Sequence, residues 1–161
     1  MSFRIGFGYD VHQLKKGIPL FIGGIEIPHL KGSIGHSDAD VLLHAICDAM
    51  LGAINQRDIG FHFPDTDQQY KGIDSKIILE KTFDIIKNNN YSIVNIDSTV
   101  CLQEPKLAGY IHHMQEVIGK ILDTSSQNIS IKATTTEKMG FVGTEDGISA
   151  YAVVLLQEKL S

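Results

Sequence analysis

Three side chains with metal-binding chemistry stand out in the first third of the sequence. The segment GYDVHQL places Asp10 and His12 two residues apart, and the segment GHSDADVLLHAI places His44 further along. One carboxylate and two imidazoles are the ligand types of a catalytic zinc site whose fourth position stays open. The three residues therefore predict a zinc site. A plainer interpretation also fits, with Asp10 and His12 on a solvent-facing strand and His44 as a hydrogen-bonded core histidine.

Two aspartates flank His44 at a spacing that matters for its chemistry. Asp40 and Asp48 lie four residues before and after it, which places the three side chains on one face of a helix. A metal-bound histidine commonly donates its second ring N–H to a carboxylate, and this fixes the ring tautomer. We therefore expect Asp40 or Asp48 to accept the second N–H of His44.

Another polar cluster lies in the segment KATTTEKMGF. Thr134 and Thr135 end a predicted strand, and Glu137 follows shortly after them. Hydroxyl and backbone N–H groups at a strand end can hold phosphate oxygens, and a nearby carboxylate can hold Mg2+ that bridges those phosphates. The cluster predicts a phosphate site, but an ordinary strand end rich in β-branched residues has the same composition.

Two loop segments carry further candidate binding residues. Asp58, Asp65 and Asp67 in DIGFHFPDTD suit either recognition of hydroxyls on a polyol or ribose, or the capping of turns. Pro105 and Lys106 in QEPKLAG indicate either an anion-facing loop or the plain first turn of a helix. The residues alone leave these alternatives open.

The strand that carries Asp10 and His12 follows from a two-residue alternation. Over 3–12, five apolar side chains share one face, and two glycines share the other face with Asp10 and His12. Glycine has no side chain, so we expect open space beside the two polar residues on that face.

A hairpin and a buried helix come next. The segment IPLFIGGIEIP predicts two short strands around a turn at Gly23 and Gly24. The segment HSDADVLLHAICDAMLGAI predicts a helix with its N-cap at Ser37 or Asp38. This helix is apolar almost all round, so we expect it to be buried.

The rest of the chain completes an α/β pattern. It predicts, in order, a polar loop, a helix, a strand, a helix and two strands, over 57–74, 75–88, 93–102, 110–121, 129–135 and 147–156. The order of elements predicts an α/β (α+β) sandwich, in which a mixed β-sheet carries helices on one face, with a small N-terminal β-hairpin beside it.

Composition narrows the class of protein. The 161 residues are 43% hydrophobic and carry a net charge of -5 at pH 7, which predicts one domain over 1–161 and gives no electrostatic reason to bind nucleic acid or an anionic membrane. No apolar run approaches the roughly 18 residues of a membrane span, and the first residues lack the composition of a targeting segment. We expect a cytoplasmic protein.

Taken together, the motifs resemble a known enzyme family. The segments GYDVH, IGGIEIP, GHSDADVLLHAICDAMLGA, DIGFHFPDTD, QEPKL and IKATTTEKMGF resemble, in order and spacing, the 2-C-methyl-D-erythritol 2,4-cyclodiphosphate synthases over residues 4–155. The resemblance implies a phosphorus–oxygen lyase of the non-mevalonate isoprenoid pathway. Such an enzyme converts 4-diphosphocytidyl-2-C-methyl-D-erythritol 2-phosphate to the cyclic diphosphate and CMP. It also implies a homotrimer with active sites between adjacent subunits.

The resemblance assigns roles to individual residues of this chain. It implies zinc ligands at Asp10, His12 and His44, a second cation, Mg2+ or Mn2+, at Glu137, and transition-state stabilisation by His36 and Thr135. The positions that it implies for substrate binding are Asp10, Val11, His12, His36, Ser37, Asp58, Ile59, Gly60, Phe63, Pro64, Asp65, Thr66, Asp67, Leu102, Gln103, Glu104, Pro105, Lys106, Leu107, Ala108, Thr134, Thr135, Thr136, Glu137, Phe141 and Thr144.

One position departs from the family pattern. Many members have an arginine where this chain has Thr144. In those members the arginine faces a central trimer cavity that can hold an isoprenoid diphosphate. Thr144 cannot supply that positive charge. Some members are also fused to the preceding cytidylyltransferase, and 161 residues are too few to include that domain.

Two other functions fit the same candidate ligands. A zinc hydrolase of phosphate esters or nucleotides would use them to activate water, and it would release CMP plus a linear bisphosphate from the same substrate. A non-catalytic trimeric binding protein would use zinc structurally. Structural zinc sites usually have four protein ligands, whereas this sequence offers three.

Overall fold

A five-stranded sheet and a layer of helices make up the fold. The computed structural model describes residues 2–159. Its strands are β1 (Phe3–Lys16), β2 (Leu20–Ile22), β3 (Ile25–Ile27), β4 (Lys31–Ile34), β5 (Tyr91–Cys101), β6 (Ile129–Thr134) and β7 (Gly147–Glu158). Its helices are α1 (Val41–Ala53), α2 (Ile59–His62), α3 (Ser75–Asn88), α4 (Ile111–Ile121) and α5 (Gly140–Gly143).

The sheet is mixed, as the sequence predicts. Its strand order is β4-β1-β7-β5-β6, and only the β5–β6 pair is parallel among the strand pairs of residues 2–159. Strands β2 and β3 form the separate hairpin, paired from Leu20 and Ile27 to Ile22 and Ile25. The predicted fold class is therefore confirmed.

Helix α1 lies directly against the glycine face of β1. A Cβ atom at Gly6 would lie 1.8 Å from the backbone oxygen of Ala49, and one at Gly8 would lie 1.9 Å from that of Ala45. The expectation of open space beside Asp10 and His12 was wrong, because the helix backbone fills the space that the missing side chains leave. This close approach brings residues of α1 to the polar end of β1.

The core lies between the helices and one face of the sheet. Helix α1 is buried almost all round, as predicted. Helix α3 packs beside α1 and against β5, and α4 packs beside α3 and against β6. The largest fully buried side chains belong to the hairpin, the helices and β5, and include Ile22, Leu42, Met50, Leu79 and Ile96. Burial of this apolar surface is the main term that stabilises the arrangement.

The opposite face of the sheet is apolar and exposed. The residues that carry it on β1 and β7 are Phe3, Ile5, Phe7, Tyr9, Val11, Tyr151 and Val153, which are 41–72% exposed. An exposed apolar surface of this extent is typical of a face that binds another protein surface.

The structure also corrects several element boundaries. The N-cap of α1 is Asp40 rather than Ser37 or Asp38. The predicted start of α3 at Ser75 is confirmed, with Asp74 as its N-cap. The predicted polar loop contains the short helix α2, and the edge strand β4 was not predicted because its sequence KGSI has no apolar alternation. Within residues 2–159, no helix is long and apolar enough to cross a membrane.

Candidate metal centre and binding cavities

The three predicted metal ligands meet at one point. The Oδ2 atom of Asp10 lies 2.9 Å from His12 Nε2 and 3.0 Å from His44 Nδ1, and the two ring nitrogens are 3.1 Å apart. This is the one group of at least three potential ligand residues in the described part of the chain that is close enough to hold a metal ion. The sequence-based prediction that these residues converge is confirmed.

The local geometry explains the convergence. Asp10 and His12 point to the same side of β1 because side chains two residues apart share a face. His44 lies in the first turn of α1, and the glycine contacts of β1 bring that turn against the strand. The two-residue repeat of the strand places Asp10 and His12 together, and tertiary packing of α1 on β1 brings His44 to them.

The donor set fits a divalent metal ion. If both imidazoles donate a proton to Asp10 Oδ2, two N–H groups face each other across the 3.1 Å between the rings. A cation at the centre removes this conflict, because all three atoms then offer lone pairs. Ligand atoms at tetrahedral angles around zinc, about 2.0–2.1 Å from it, lie roughly 3.3 Å apart, close to the spacings seen here.

The charges of the cluster are strongly coupled. Burial alone would raise the pKa of the Asp10 carboxyl, but hydrogen bonds from His12 and His44 hold its pKa well below the usual range. Burial alone would lower the pKa of His44, yet its hydrogen bond to Asp10 raises that pKa above the usual value. The cluster therefore holds a carboxylate near neutral pH, as a metal site requires.

The second nitrogen of His44 has partners that the sequence did not predict. His44 Nε2 lies 3.1 Å from Ser37 Oγ and 3.0 Å from Ser75 Oγ. The expectation that Asp40 or Asp48 would accept this N–H was wrong. Ser75 gave no signal in the sequence, because its contact with His44 joins the starts of α3 and α1, two elements distant in the chain.

Asp40 and Asp48 instead hold backbone amides. Asp40 lies at the N-cap, outside the helical turns, and its carboxylate accepts hydrogen bonds from Gly23 N (2.9 Å), Gly24 N (2.7 Å) and Leu43 N (3.1 Å). Asp48 accepts one from Ile59 N at 2.8 Å and so ties α2 to α1. Burial raises the pKa of both carboxyl groups.

A cavity of about 330 Å³ opens beside the ligand cluster. Its lining includes the three ligands together with the predicted residues His36, Ser37, Ile59, Gly60, Phe63 and Asp65. Tyr70, Ile73 and Ile78 also line it and were not predicted. His36 Nε2 is buried and has no hydrogen-bond partner among residues 2–159.

Some predicted residues of the same segments lie outside this cavity. Its lining does not include Val11, Asp58, Pro64, Thr66 or Asp67. Asp58 caps α2 through Phe61 N at 2.9 Å, and Asp67 accepts from Gln69 N at 3.0 Å. The turn-capping alternative therefore describes these two aspartates in the structure.

A second cavity, of about 250 Å³, lies at the ends of β5 and β6. It is lined by the predicted residues Leu102, Pro105, Lys106, Leu107, Ala108, Thr134 and Thr135, and by Ile111, Ile131 and Ala133, which were not predicted. Gln103, Glu104, Thr136 and Glu137 are not among its lining residues. The two cavities share no lining residue in the described part of the chain.

The remaining predicted residues surround the end of β6. Thr135 Oγ1 accepts a weak hydrogen bond from Glu137 N at 3.4 Å, and Glu137 is exposed with a φ of 53°. Thr136 and Phe141 line a smaller cavity with Tyr9 and Tyr151. Thr144 donates its hydroxyl to Asp146 Oδ2 at 2.6 Å, so this side chain is bonded within its own loop.

Comparisons with known proteins identify the family of this chain. A model of the YgbB family matches residues 3–157. A relative from Bacteroides thetaiotaomicron, named 2-C-methyl-D-erythritol 2,4-cyclodiphosphate synthase, is 57% identical over 158 residues, which are 98% of this chain and 99% of the relative. A relative of the same name from Shouchella clausii is 57% identical over 155 residues, 96% of this chain and 98% of the relative.

Solved structures give the same result. The structure of IspF from Plasmodium falciparum in complex with CDP has a TM-score of 0.87 and 34% identity, and the match covers 99% of this chain and 98% of that one. The bifunctional IspDF from Campylobacter jejuni has a TM-score of 0.94 and 38% identity over 98% of this chain, which spans 42% of that longer protein. The chain belongs to the YgbB family, that of the 2-C-methyl-D-erythritol 2,4-cyclodiphosphate synthases.

Proposed function

We propose that this chain is a lyase that converts 4-diphosphocytidyl-2-C-methyl-D-erythritol 2-phosphate to 2-C-methyl-D-erythritol 2,4-cyclodiphosphate and CMP, a step of the non-mevalonate isoprenoid pathway. The observation that carries the proposal is the convergence of Asp10, His12 and His44 at the wall of a cavity. The substrate that we propose for this cavity follows from membership of the synthase family.

The reaction is an internal phosphoryl transfer. An oxygen of the 2-phosphate bonds to the β-phosphorus of the same molecule, the bond from that phosphorus to the oxygen bridging to the α-phosphorus breaks, and CMP leaves with the electron pair. The nucleophile is already an anion tethered to its target, so the protein has to supply no nucleophile. Its task is to position the two phosphates in line and to offset their charge.

The first cavity supplies the residues for the attacking end. Asp10, His12 and His44 would hold zinc, which when bound supplies a Lewis acid that polarises a phosphoryl oxygen. His36 Nε2, buried and without a protein partner among the described residues, is suited to a hydrogen bond with a phosphate oxygen. Such a bond stabilises the transition state where it is stronger there than in the bound substrate.

The second cavity would hold the cytidine end. Its apolar floor and its strand-end threonines suit a base and a phosphate, and Thr135 can donate its hydroxyl to a phosphate oxygen. The Glu137 carboxylate makes no hydrogen bond or ion pair within residues 2–159. It would hold Mg2+ or Mn2+, since such a cation is usually bound by one or two carboxylates together with substrate phosphates.

We further propose a homotrimer with active sites between adjacent subunits. Two features support it. The face of β1 and β7 with Ile5, Phe7 and Tyr151 is apolar and exposed in one chain, and the two cavities share no lining residue among the described residues. A neighbouring copy that covers the apolar face would complete a site that one chain contains in two separate parts.

The domain and location follow as smaller proposals. One hydrophobic core joins α1, α3 and α4 to β1, β5, β6 and β7, which supports a single domain over 1–161, whose residues 1, 160 and 161 lie outside the described ones. The net charge of -5 and the nature of the substrate support an enzyme of the cytoplasm that acts on a small nucleotide rather than on nucleic acid or a membrane.

Phosphorus NMR tests the reaction directly. The purified protein is mixed with 4-diphosphocytidyl-2-C-methyl-D-erythritol 2-phosphate and Mg2+, with and without a zinc chelator. The expected products are a cyclic diphosphate and CMP, and chelation is expected to abolish both. A linear bisphosphate would establish a hydrolase instead, and the absence of turnover by folded, metal-loaded protein would leave a binding protein.

A variant of the apolar face tests the assembly. Ile5→Glu places a charge on a side chain that is 72% exposed in one chain, so the fold of the chain should tolerate it. Light scattering should give the mass of a trimer for the parent protein and of a monomer for the variant. A parent protein with the mass of one chain would contradict the trimer.

A further inference from the structure

A series of hydrogen bonds starts at His44 Nε2, the ring nitrogen that does not face Asp10 and His12. Ser75 Oγ lies 3.0 Å from His44 Nε2 and makes a short hydrogen bond to Asp38 Oδ1. Ser75 N donates to Asp38 Oδ2 at 3.1 Å. Neither Ser75 nor Asp38 has a place in the reaction proposed above.

The positions of the protons in these hydrogen bonds follow from counting donors and acceptors. An ionised carboxylate only accepts hydrogen bonds, so the single hydroxyl proton of Ser75 goes to Asp38. Ser75 Oγ can then offer only a lone pair to His44. The hydrogen bond between Ser75 and His44 therefore needs a proton on Nε2, and Nδ1 is the ring nitrogen that faces Asp10 and His12.

The surroundings hold these groups in place. Ser75 is fully buried and His44 is 6% exposed. Two backbone bonds, from Asp38 N to Ile73 O at 3.1 Å and from Gly72 N to His36 O at 2.7 Å, tie the segment before α3 to the segment before α1. Ser75 thus lies at a fixed junction between the two helices.

We infer that Ser75 and Asp38 are positioning residues that hold the His44 ring with its proton on Nε2 and its Nδ1 lone pair directed to the metal position. This inference rests on the proposed metal site. Ser37 supports the same arrangement only in part. Its hydroxyl accepts from Ala39 N at 3.0 Å, and its own proton can go either to Ser75 Oγ at 3.3 Å or to Nε2 at 3.1 Å.

Ser75→Ala tests the inference. The variant leaves Ser37 as the one hydroxyl beside Nε2, and Ser37 can donate as well as accept, so the ring orientation and protonation are no longer fixed. Outer partners of metal-bound histidines typically contribute about 10- to 100-fold to metal affinity. We expect the zinc dissociation constant, measured by chelator competition, to rise by about this factor.

Ser98→Ala is the matched control. Ser98 is buried like Ser75, but its hydroxyl donates to Ser130 O at 2.9 Å on the neighbouring strand. We expect its zinc affinity to equal that of the parent protein. Equal losses in the two variants would overturn the inference, because they would reflect a general loss of packing rather than the contact with His44.

A proton NMR signal gives a readout that a merely structural role would not change. The Nε2 proton of His44, identified by 15N labelling, should give a slowly exchanging signal in the parent protein and in Ser98→Ala, with and without zinc. In Ser75→Ala it should shift and exchange faster with water. An unchanged signal in Ser75→Ala would overturn the inference.

A second pair of variants keeps the test independent of Ser75 itself. Asp38 uses one carboxylate oxygen for Ser75 Oγ and the other for Ser75 N, and Asp38→Asn replaces one of these acceptors by an N–H donor, so one of the two bonds that hold Ser75 is lost. We expect zinc affinity to fall about 10-fold. Asp74→Asn makes the same change of charge one residue before Ser75, where the carboxylate bonds Lys76 N, and should leave zinc affinity unchanged. Equal losses would assign the effect to charge alone and overturn the role of Asp38.

The two proposals fail in different ways. A parent protein that binds no zinc would overturn the metal site of the proposed function. The Nε2 signal of the metal-free protein would still decide whether Ser75 holds the ring. Ser75 donates its proton to Asp38, and therefore accepts from His44, whether or not zinc is bound.

Discussion

The two cavities of the chain are built differently. Around the first, His44, Ser75 and Asp40 are buried, and hydrogen bonds fix each of them. Around the second, Thr134 and Glu137 are exposed, and the polar contacts of this segment are mostly with its own neighbours, as in the bond from Thr134 Oγ1 to Thr135 O at 3.0 Å.

The difference indicates where preorganisation resides in one chain. A site held by packed side chains and hydrogen bonds can bind a metal without rearranging, and this lowers the cost of binding. An exposed strand end gains its order from what binds to it. The three residues proposed to hold the metal therefore come together within one chain. Under the proposed assembly, the cytidine side is completed by a neighbouring copy and the substrate.

Removing a metal ligand should produce the largest effect. His44→Ala leaves two protein ligands, so zinc should be lost at micromolar protein concentrations. Turnover should fall by about 1000-fold, since Lewis-acid stabilisation of the transition state is worth several kcal/mol. Metal analysis and phosphorus NMR measure the two losses.

His112→Ala serves as the control for that variant. His112 is exposed on α4, where it faces Glu116 at 3.3 Å, and it should keep full zinc content and turnover. Full zinc occupancy in His44→Ala would show that the cluster of Asp10, His12 and His44 is not the metal site.

Removing the Asp40 carboxylate, which joins α1 to the hairpin, should produce the next largest effect, a loss of stability. Asp40→Ala leaves three amide N–H groups of Gly23, Gly24 and Leu43 without their acceptor. We expect the free energy of unfolding, measured by urea titration, to fall by about 2–4 kcal/mol. Asp74→Ala removes an ordinary N-cap on α3 and should cost only about 1 kcal/mol; equal losses would contradict the special position of Asp40.

A substitution at the second cavity should lower turnover and leave folding stability unchanged. Thr135→Ala removes one hydroxyl that would bond a phosphate oxygen, and a hydrogen bond to a charged group is worth about 1.5–3 kcal/mol. Turnover should fall roughly 10- to 100-fold with the unfolding midpoint unchanged. Thr124→Ala, next to the turn after α4, should change neither value; a shift in the Thr135→Ala midpoint would mean that this end is more tightly packed than the exposed strand end indicates.

The smallest effect concerns the pH dependence of the metal-free protein. Asp10 has a lowered pKa in the folded state, so its contribution to stability is present above its unfolded pKa and is lost as pH falls through the folded pKa. His44 has a raised pKa, so its contribution is present below its unfolded pKa and is lost as pH rises through the folded pKa.

The pair should therefore stabilise the metal-free fold most between about pH 4 and 6.5, the unfolded values of Asp and His. The parent protein should have a higher free energy of unfolding than His44→Ala in that window. The difference should be larger there than at pH 9 by on the order of 1–2 kcal/mol. Urea titrations across pH measure this difference, and a difference that grew toward alkaline pH would contradict the assigned ion pair.

The sequence-based predictions are most accurate where they depend on neighbouring residues, and most of their errors concern contacts between residues distant in the chain. Asp10 and His12 share a face by strand geometry alone, and residue type marked His44 as their partner. Asp40 was misassigned because helical spacing does not apply at an N-cap, where its backbone is extended with a ψ of 94°. Asp48 lies within α1, but its carboxylate bonds Ile59 N on another element instead of His44. Ser75 was missed because no local pattern shows which polar residue at one helix start will face another helix.

The glycine face of β1 has a consequence for how the protein tolerates mutation. Because Gly6 and Gly8 let the backbone of α1 rest on the strand itself, no side chain separates, at these two positions, the elements that carry the proposed metal ligands. The spacing between Asp10 and His44 is then independent of the sizes of the surrounding core residues. Substitutions of apolar residues elsewhere in the core can accumulate without changing that spacing, whereas an added methyl group at Gly6 or Gly8 would change it at once.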